Sequence, residues 1–252
     1  MPNVGYSHQI EIPDGEQYNV YAASNEKFPI GTIGILQDGR AYRFAKNGGA
    51  TLVVGNVICA QAPLSNHINR TGIATAVGAT TTSVVLGATA ITADQYKDGY
   101  LTGSVAPGNG QVYLIGSHEA VSSSGTFAVP LAPGNTIRVA ITTSSRLDLV
   151  PNPYKGVIQA PATTLTSAPV GVAVSTPTAN QHCWIQVYGP ASVLTAGTLI
   201  VGNRAVAQTA TAGACGPETA TAATSKTEVT IGRVLVAAAT TASSTIDLDI
   251  GN

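Results

Sequence analysis

The sequence predicts an all-β protein: a base β-barrel or sandwich domain, a small antiparallel β domain inserted into it, and an extended N-terminal arm. Three observations point there. Short β-branched and apolar runs recur along the chain, separated by Gly, Pro, Asn and Asp. The stretch Thr51–Gln61 returns as Thr198–Gln208, with Thr, Leu, Val, Gly, Asn, Ala and Gln at matching places. Each copy reads as strand, turn at Gly-Asn, strand, because glycine accepts a positive φ and asparagine is the next most tolerant residue. The third observation is composition. Of 252 residues only 10% are charged, while 44% are hydrophobic and much of that share is Ala and Val; an ordinary domain is about one quarter charged. A surface so poor in charge tolerates close packing against neighbours, which hints at assembly.

Taken in order, residues 1–29 are polar and carry Pro2, Pro13 and Pro29, so they read as an extended arm with one brief strand at His8–Ile12. Such an arm is ordered only when a neighbour holds it. The base domain is expected over 30–68 and 154–252. Its first strands are Ile30–Leu36 and, after the Asp38-Gly39 turn, Arg40–Phe44; the first repeat copy follows. The inserted domain is expected over 69–153. Its strands are Ser83–Leu86, Gly99–Gly103, Gln111–Ile115, Thr126–Val129 and Ile137–Ile141, a spacing that suits a small antiparallel barrel or sandwich. Thr92–Lys97 is the one helical-looking turn in this region, with Thr92 or Asp94 as its N-cap. Leu149–Gly156 holds two prolines around Asn152 and favours an extended crossing. Val170–Val174, Cys183–Tyr188, a turn at Gly189-Pro190 and the second repeat copy resume the base. Ile231–Val236 and Ser244–Ile250 close it, the last with Ile246, Leu248 and Ile250 on one face and Asp247 and Asp249 on the other.

Several function classes find no support. Net charge is −1 without a basic run, so no nucleic-acid partner is expected. No window holds about 18 uninterrupted apolar residues, so no membrane span is expected. Met1–His8 lacks the layout of a secretory signal, and synthesis in a cytoplasm is the expectation. Cys59, Cys183 and Cys215 are scattered and odd in number, which suits buried thiols rather than disulfides or zinc. His8, His67, His118 and His182 are isolated, without metal-ligand spacing. His118-Glu119 and His182-Cys183 are adjacent, which on a strand sends the two side chains apart. Nucleophile-elbow, phosphate-loop and dinucleotide motifs do not occur. Asp247 and Asp249 share a face about 7 Å apart, but no further acid lies close to them in sequence. The expectation is therefore a non-enzyme with no catalytic residue, no metal and no cofactor.

Three stretches resemble recurrent ones in tailed-bacteriophage virion proteins: Gly87–Leu101, Asp148–Gly156, and Trp184–Ala191 with the following Leu194-x-x-Gly197-Thr198-Leu199. The last portion is similar to the β-rich capsid decoration, or cement, proteins, where such a hairpin precedes a closing strand like Ile231–Leu235. The likeness spans roughly residues 40–250 and rests on β-structure rather than catalytic signatures. It implies a virion protein on the outer capsid surface, with the major capsid protein as partner, bridging capsid subunits as a homo-oligomer, expected as a trimer. On that reading the contact residues are Tyr6, His8, Ile10, Tyr18 and Tyr21 of the arm, and Pro153 and Tyr154 of the crossing. The alternative is a tail or fibre adhesin whose inserted domain recognises a glycan through Tyr96, Tyr100, Tyr113 and Phe127.

Overall fold

The structure, a computed structural model, describes residues 9–218 and 228–250. They form two compact units. Residues 63–152 make one, and the flanking segments, 9–62 and 153–250, make the other. The flanking unit opens with β1 (Gln9–Glu11), β2 (Val20–Tyr21), β3 (Ile33–Ile35), β4 (Ala41–Asn47) and β5 (Val57–Cys59). The nested unit holds β6 (Arg70–Thr71), β7 (Thr81–Val85), β8 (Tyr100–Val105), β9 (Val112–Leu114), β10 (Thr126–Pro130) and β11 (Arg146–Val150). The first unit resumes with β12 (Lys155–Gln159), β13 (Pro169–Ala173), β14 (His182–Leu194), β15 (Arg204–Ala207), β16 (Cys215–Pro217), β17 (Thr230–Val236) and β18 (Ser243–Asp249). Only two single turns of 3-10 helix interrupt this all-β pattern among the described residues, at Glu16–Tyr18 and Ser65–His67.

The flanking unit is built on a closed barrel of five strands, β4-β12-β5-β13-β14, sealed where β14 pairs back onto β4. Closure removes the exposed ladder edges that an open sheet would carry. Alternation along each strand sends Ala45, Ile58, Val157, Ala173, Cys183 and Ile185 into one shared cluster. Their neighbours Val57, Cys59 and Val172 pack instead with Ile231, Val234, Ile246 and Leu248 of β17 and β18. On β4 and β14, Tyr42, Phe44 and Trp184 face a third cluster with Ile12, Ile30 and Leu36. Strands buried on both faces must be apolar at nearly every position, and β5 and β13 are buried throughout.

The nested unit closes as well. Ladders join β6, β11, β8 and β9 in that order, and β10 pairs with β7. Single bridges, Ile115 to Leu131 and Gly72 to Val84, complete the ring. Tyr96, Leu101, Tyr113, Ile115, Phe127 and Leu147 are among the side chains that fill it.

Five local expectations are corrected. Neither repeat copy is a hairpin of two strands. Both begin as an irregular leg anchored by a buried leucine, Leu52 or Leu199. The turn itself is the same in each: Asn56 N–H donates to the Val53 carbonyl and Asn203 N–H to the Ile200 carbonyl, both at 3.1 Å. Gly55 and Gly202 take φ of 81° and 85°, as the third residue of a type II turn requires. Strand pairing starts only afterwards, in β5 and β15. The Ile30–Leu36 run contributes only the three residues of β3. No turn forms at Gly189-Pro190; β14 runs on through it, with Gly189 at φ 81° and a bulge against β4 between Gln186 and Tyr188. Ile137–Ile141 makes no strand. Ile137 and Ile141 are each tied to another segment, Ala79 and Thr75, while the Arg138 N–H donates to the Tyr113 hydroxyl at 3.1 Å. Thr92–Lys97 is a turn rather than a helix, since Asp94 at φ 57° is left-handed.

Two glycine substitutions separate close packing from backbone strain. A Cβ on Gly232 of β17 would lie 2.0 Å from the Asp247 carbonyl oxygen of β18. Gly232→Ala is expected to cost about 3 kcal/mol by chemical denaturation, since backbone cannot step aside as a side chain would. Gly202→Ala meets open space and only the positive φ, so about 1 kcal/mol is expected.

Candidate functional site

The residues expected to make contacts fall into two segments of the flanking unit. Tyr6 and His8 lie outside the described residues. From Gln9 onward the arm is extended but docked on its own unit, not held out for a neighbour. β1 pairs in parallel with β3, and β2 pairs with β14. The physical reason is Glu16, whose buried carboxylate collects donors from the surrounding segment. Lys27 Nζ lies 3.2 Å from both of its oxygens, Asn19 Nδ2 donates at 3.0 Å and the buried Trp184 Nε1 at 3.4 Å. The Tyr21 hydroxyl also donates to it. Lys27 further lies over the Tyr21 and Phe28 rings, at 5.0 and 5.2 Å from their centroids. Burial pushes the Glu16 pKa upward, but the hydrogen bonds from Tyr21, Lys27, Asn19 and Trp184 outweigh it and hold the group below 4.5.

Most of the named side chains are therefore spent inside the unit. Ile10 and Tyr21 are half-buried against the cluster around Trp184. Tyr154 packs between that cluster and the barrel interior, with the Arg43 guanidinium 5.2 Å from its ring centroid. Pro153 is half-buried. Tyr18 alone of the described set is open, at 56% exposure.

Groups with chemical potential elsewhere are likewise occupied. His67 and His118 flank Tyr96. Nδ1 of His67 is 2.6 Å from the Tyr96 hydroxyl, and Nε2 of His118 accepts the Tyr96 N–H at 3.0 Å. His182 stacks on Phe44, with ring centroids 5.8 Å apart, while the adjacent Cys183 faces the barrel interior. Burial lowers the His182 pKa beneath 6.5, and the Ala22 carbonyl at 3.3 Å offsets part of that shift. Burial pushes the thiols of Cys59 and Cys215 up to about 11 and that of Cys183 to about 12, so none is a ready nucleophile. Asp247 and Asp249 face outward on β18. Among the described residues no three His, Cys, Asp or Glu side chains converge as metal ligands.

One surface escapes sequence reasoning altogether. The tips of both repeat turns carry bare aliphatic pairs, Val53 with Val54 and Ile200 with Val201, each residue between 50% and 61% exposed. Gly202 N–H donates to the Val234 carbonyl at 2.8 Å, which sets the second tip beside exposed Leu235 and Val236. The signal was present in the recurrence itself. Its exposure was not readable, because the same letters also suit a buried strand. The chain matches no protein-family model, no curated protein and no solved structure.

Acid should loosen this unit in two ranges. His182 favours the fold when neutral, so its contribution is complete above pH 6.5 and declines as pH falls below that toward its lower folded value. The melting temperature is expected to decline over that range, and His182→Gln to flatten the slope. Glu16 contributes above pH 4.5 and loses its contribution as pH falls through its lowered folded value. Glu16→Gln should cost about 2 kcal/mol at neutral pH, the scale of hydrogen bonds to a charged group.

Proposed function

We propose that this chain is a structural virion protein that decorates the outside of an assembled phage capsid and stabilises it by bridging capsid subunits. The observation that carries the reading is the pair of like turns whose aliphatic tips stand in water. Exposed apolar groups like these gain free energy when a neighbour covers them. The sparse charge of the chain removes the repulsion that would otherwise hold neighbours off. Two further features support it. Gly87–Leu101, Asp148–Gly156 and Trp184–Leu199 resemble stretches of tailed-phage virion proteins and the last portion resembles decoration proteins, while the buried Glu16, His67 and His118 are engaged in hydrogen bonds.

The mechanism is mass action on an assembled state. A ligand that binds the closed shell better than its separated parts raises the cost of separation. Many symmetric copies then sum modest individual contacts into a durable whole. Contact residues on this reading are Val53, Val54, Ile200, Val201, Leu235, Val236 and Tyr18. The adhesin alternative loses its main support, since Tyr96, Tyr113 and Phe127 are core side chains and only Tyr100 is substantially exposed.

The test uses intact particles. Removing the protein should lower the temperature at which particles rupture, and adding it back should restore that temperature. An Ile200→Asp/Val201→Asp variant, changed only at exposed positions, should keep its own melting temperature but rebind shells at least about tenfold more weakly. Rupture at the same temperature with and without the protein would reject the cementing role. Labelled protein found at the tail tip in negative stain would reject the head location.

A further inference from the structure

In the nested unit, β10 is the short run Thr126-Phe-Ala-Val-Pro130, whose alternation buries Phe127 and Val129 and leaves Thr126 and Ala128 exposed. One edge of it pairs with β7, from Thr126 opposite Val85 to Pro130 opposite Thr81, without a register shift. The other edge has no strand beside it among the described residues. Antiparallel neighbours exchange both backbone bonds at every second pair. The bonding residues of β10 are the odd-numbered ones, because Leu86 N–H donates to the Gly125 carbonyl at one end of the ladder and Leu131 N–H to the Thr80 carbonyl at the other, each at 2.9 Å. Thr126 and Ala128 therefore turn their N–H and C=O groups away from β7.

Where β10 ends, that outer edge is covered: Gly116 N–H donates to the Pro130 carbonyl at 2.8 Å and Ala132 N–H to the Leu114 carbonyl at 2.9 Å. After Gly116 the covering chain leaves. The Ser117 hydroxyl and the His118 N–H both donate to Asp94 Oδ1, at 2.6 and 2.9 Å, and Asp94 N–H donates back to the His118 carbonyl at 2.9 Å. A cleft of about 410 Å³ remains, with Ser117, His118 and Glu119 along one side and Thr126, Phe127 and Ala128 along the other. Two observations say what fills it. Sheets protect a bare edge with charges, a bulge or proline, yet β10 carries no charge and no bulge, and its one proline stands at its end. Donors and acceptors spaced along a strand edge match an extended chain. Glu119 is exposed at this cleft and takes part in no ion pair among the described residues. A second copy's β10 has no cation to offer it and would bring a second Glu119 to the same joint.

We propose that β10 accepts an extended segment of another protein as an added strand, with a Lys or Arg side chain of that segment beside Glu119. The N–H and C=O groups of Thr126 and Ala128 supply the backbone bonds, and the charge pair selects which segments are held. The small side chains of Thr126 and Ala128 leave the approach open. This edge belongs to the nested unit and is independent of the decoration reading, whose contact residues all lie in the flanking unit.

The test is a titration of the full-length chain with acetyl-Thr-Val-Lys-Val-Thr-amide, read by amide hydrogen exchange in NMR. In the free chain the Thr126 and Ala128 amides should exchange faster than those of Phe127 and Val129. Saturable binding with a dissociation constant of about 1 mM or tighter is expected, and it should slow exchange at Thr126 and Ala128 at least about tenfold. The same peptide N-methylated at every residue, which removes its donors, should bind at least about tenfold more weakly. Norleucine in place of its lysine should weaken binding about threefold, and Glu119→Gln should abolish that difference. Ala128→Pro removes an outward N–H and should abolish binding; Glu119→Gln, at an exposed position, keeps the question decidable if that variant fails to fold. Absence of saturation, or equal binding by the N-methylated peptide, would overturn the proposal. So would self-association of the free chain that Ala128→Pro abolishes, since the edge would then belong to a second copy. Failure here leaves the rupture experiment on particles untouched, so the two readings fail separately.

Discussion

Strand β14 carries the constraint on which the flanking unit depends: one continuous strand must belong to two differently covered surfaces. From His182 to Val187 every residue is buried, because the barrel interior lies on one side and the cluster around Trp184 on the other. From Tyr188 onward burial alternates, since only one face is covered. The change occurs at Val187–Tyr188, where the register against β4 shifts and Tyr188, the last residue paired with β4, is the first paired with β18. Gln186, itself buried, directs its amide at the carbonyls of Tyr188, Gly189 and Pro190, at 3.2, 3.4 and 2.9 Å. Its amide thus braces the segment where the strand begins to pair with β18. The bulge and its brace are thus one device, and both the barrel closure and the β18-β17-β15 extension follow from it.

The N-terminal segment solves a complementary problem. Trp184 and Phe44 point out of the barrel and need a cover, and the segment from Gln9 to Leu36 provides it. A carboxylate would be costly in that setting, yet Glu16 is the residue that ties the cover down. Four donors from Asn19, Tyr21, Lys27 and Trp184 replace the water that it loses. The same economy governs the nested unit, where two histidines are held around Tyr96 by hydrogen bonds that orient all three rings. Glu16 in one unit and His67 and His118 in the other are thus engaged in holding segments together.

The outside of the flanking unit has its own character. The two repeat turns place short aliphatic pairs in solvent on a unit built around one closed barrel. Rigid presentation lowers the conformational entropy lost when such a pair is covered. Near β1 the surface changes character, with Glu11, Asp14 and Asp38 exposed along one cleft.

Much of this was legible in the sequence, and the limit of legibility has a physical cause. Alternation along Ser244–Ile250 assigned both faces of β18 correctly, because a strand with one wet face writes its burial into every second residue. The recurrence of Leu-x-Val-Gly-Asn identified a repeated turn, since only a few residues accept the backbone angle that glycine takes there. Cysteine spacing foretold buried thiols for the same local reason. Partners distant in the chain were a different matter. That Glu16 would meet Trp184, that β14 would run on through Gly189 rather than turn, and that Tyr42 would be buried with Ile12 and Leu36 all depend on which strands become neighbours. A sequence fixes backbone preference and periodicity residue by residue, while pairing across the barrel is chosen by the total burial and hydrogen bonding of the whole unit, which no local stretch contains.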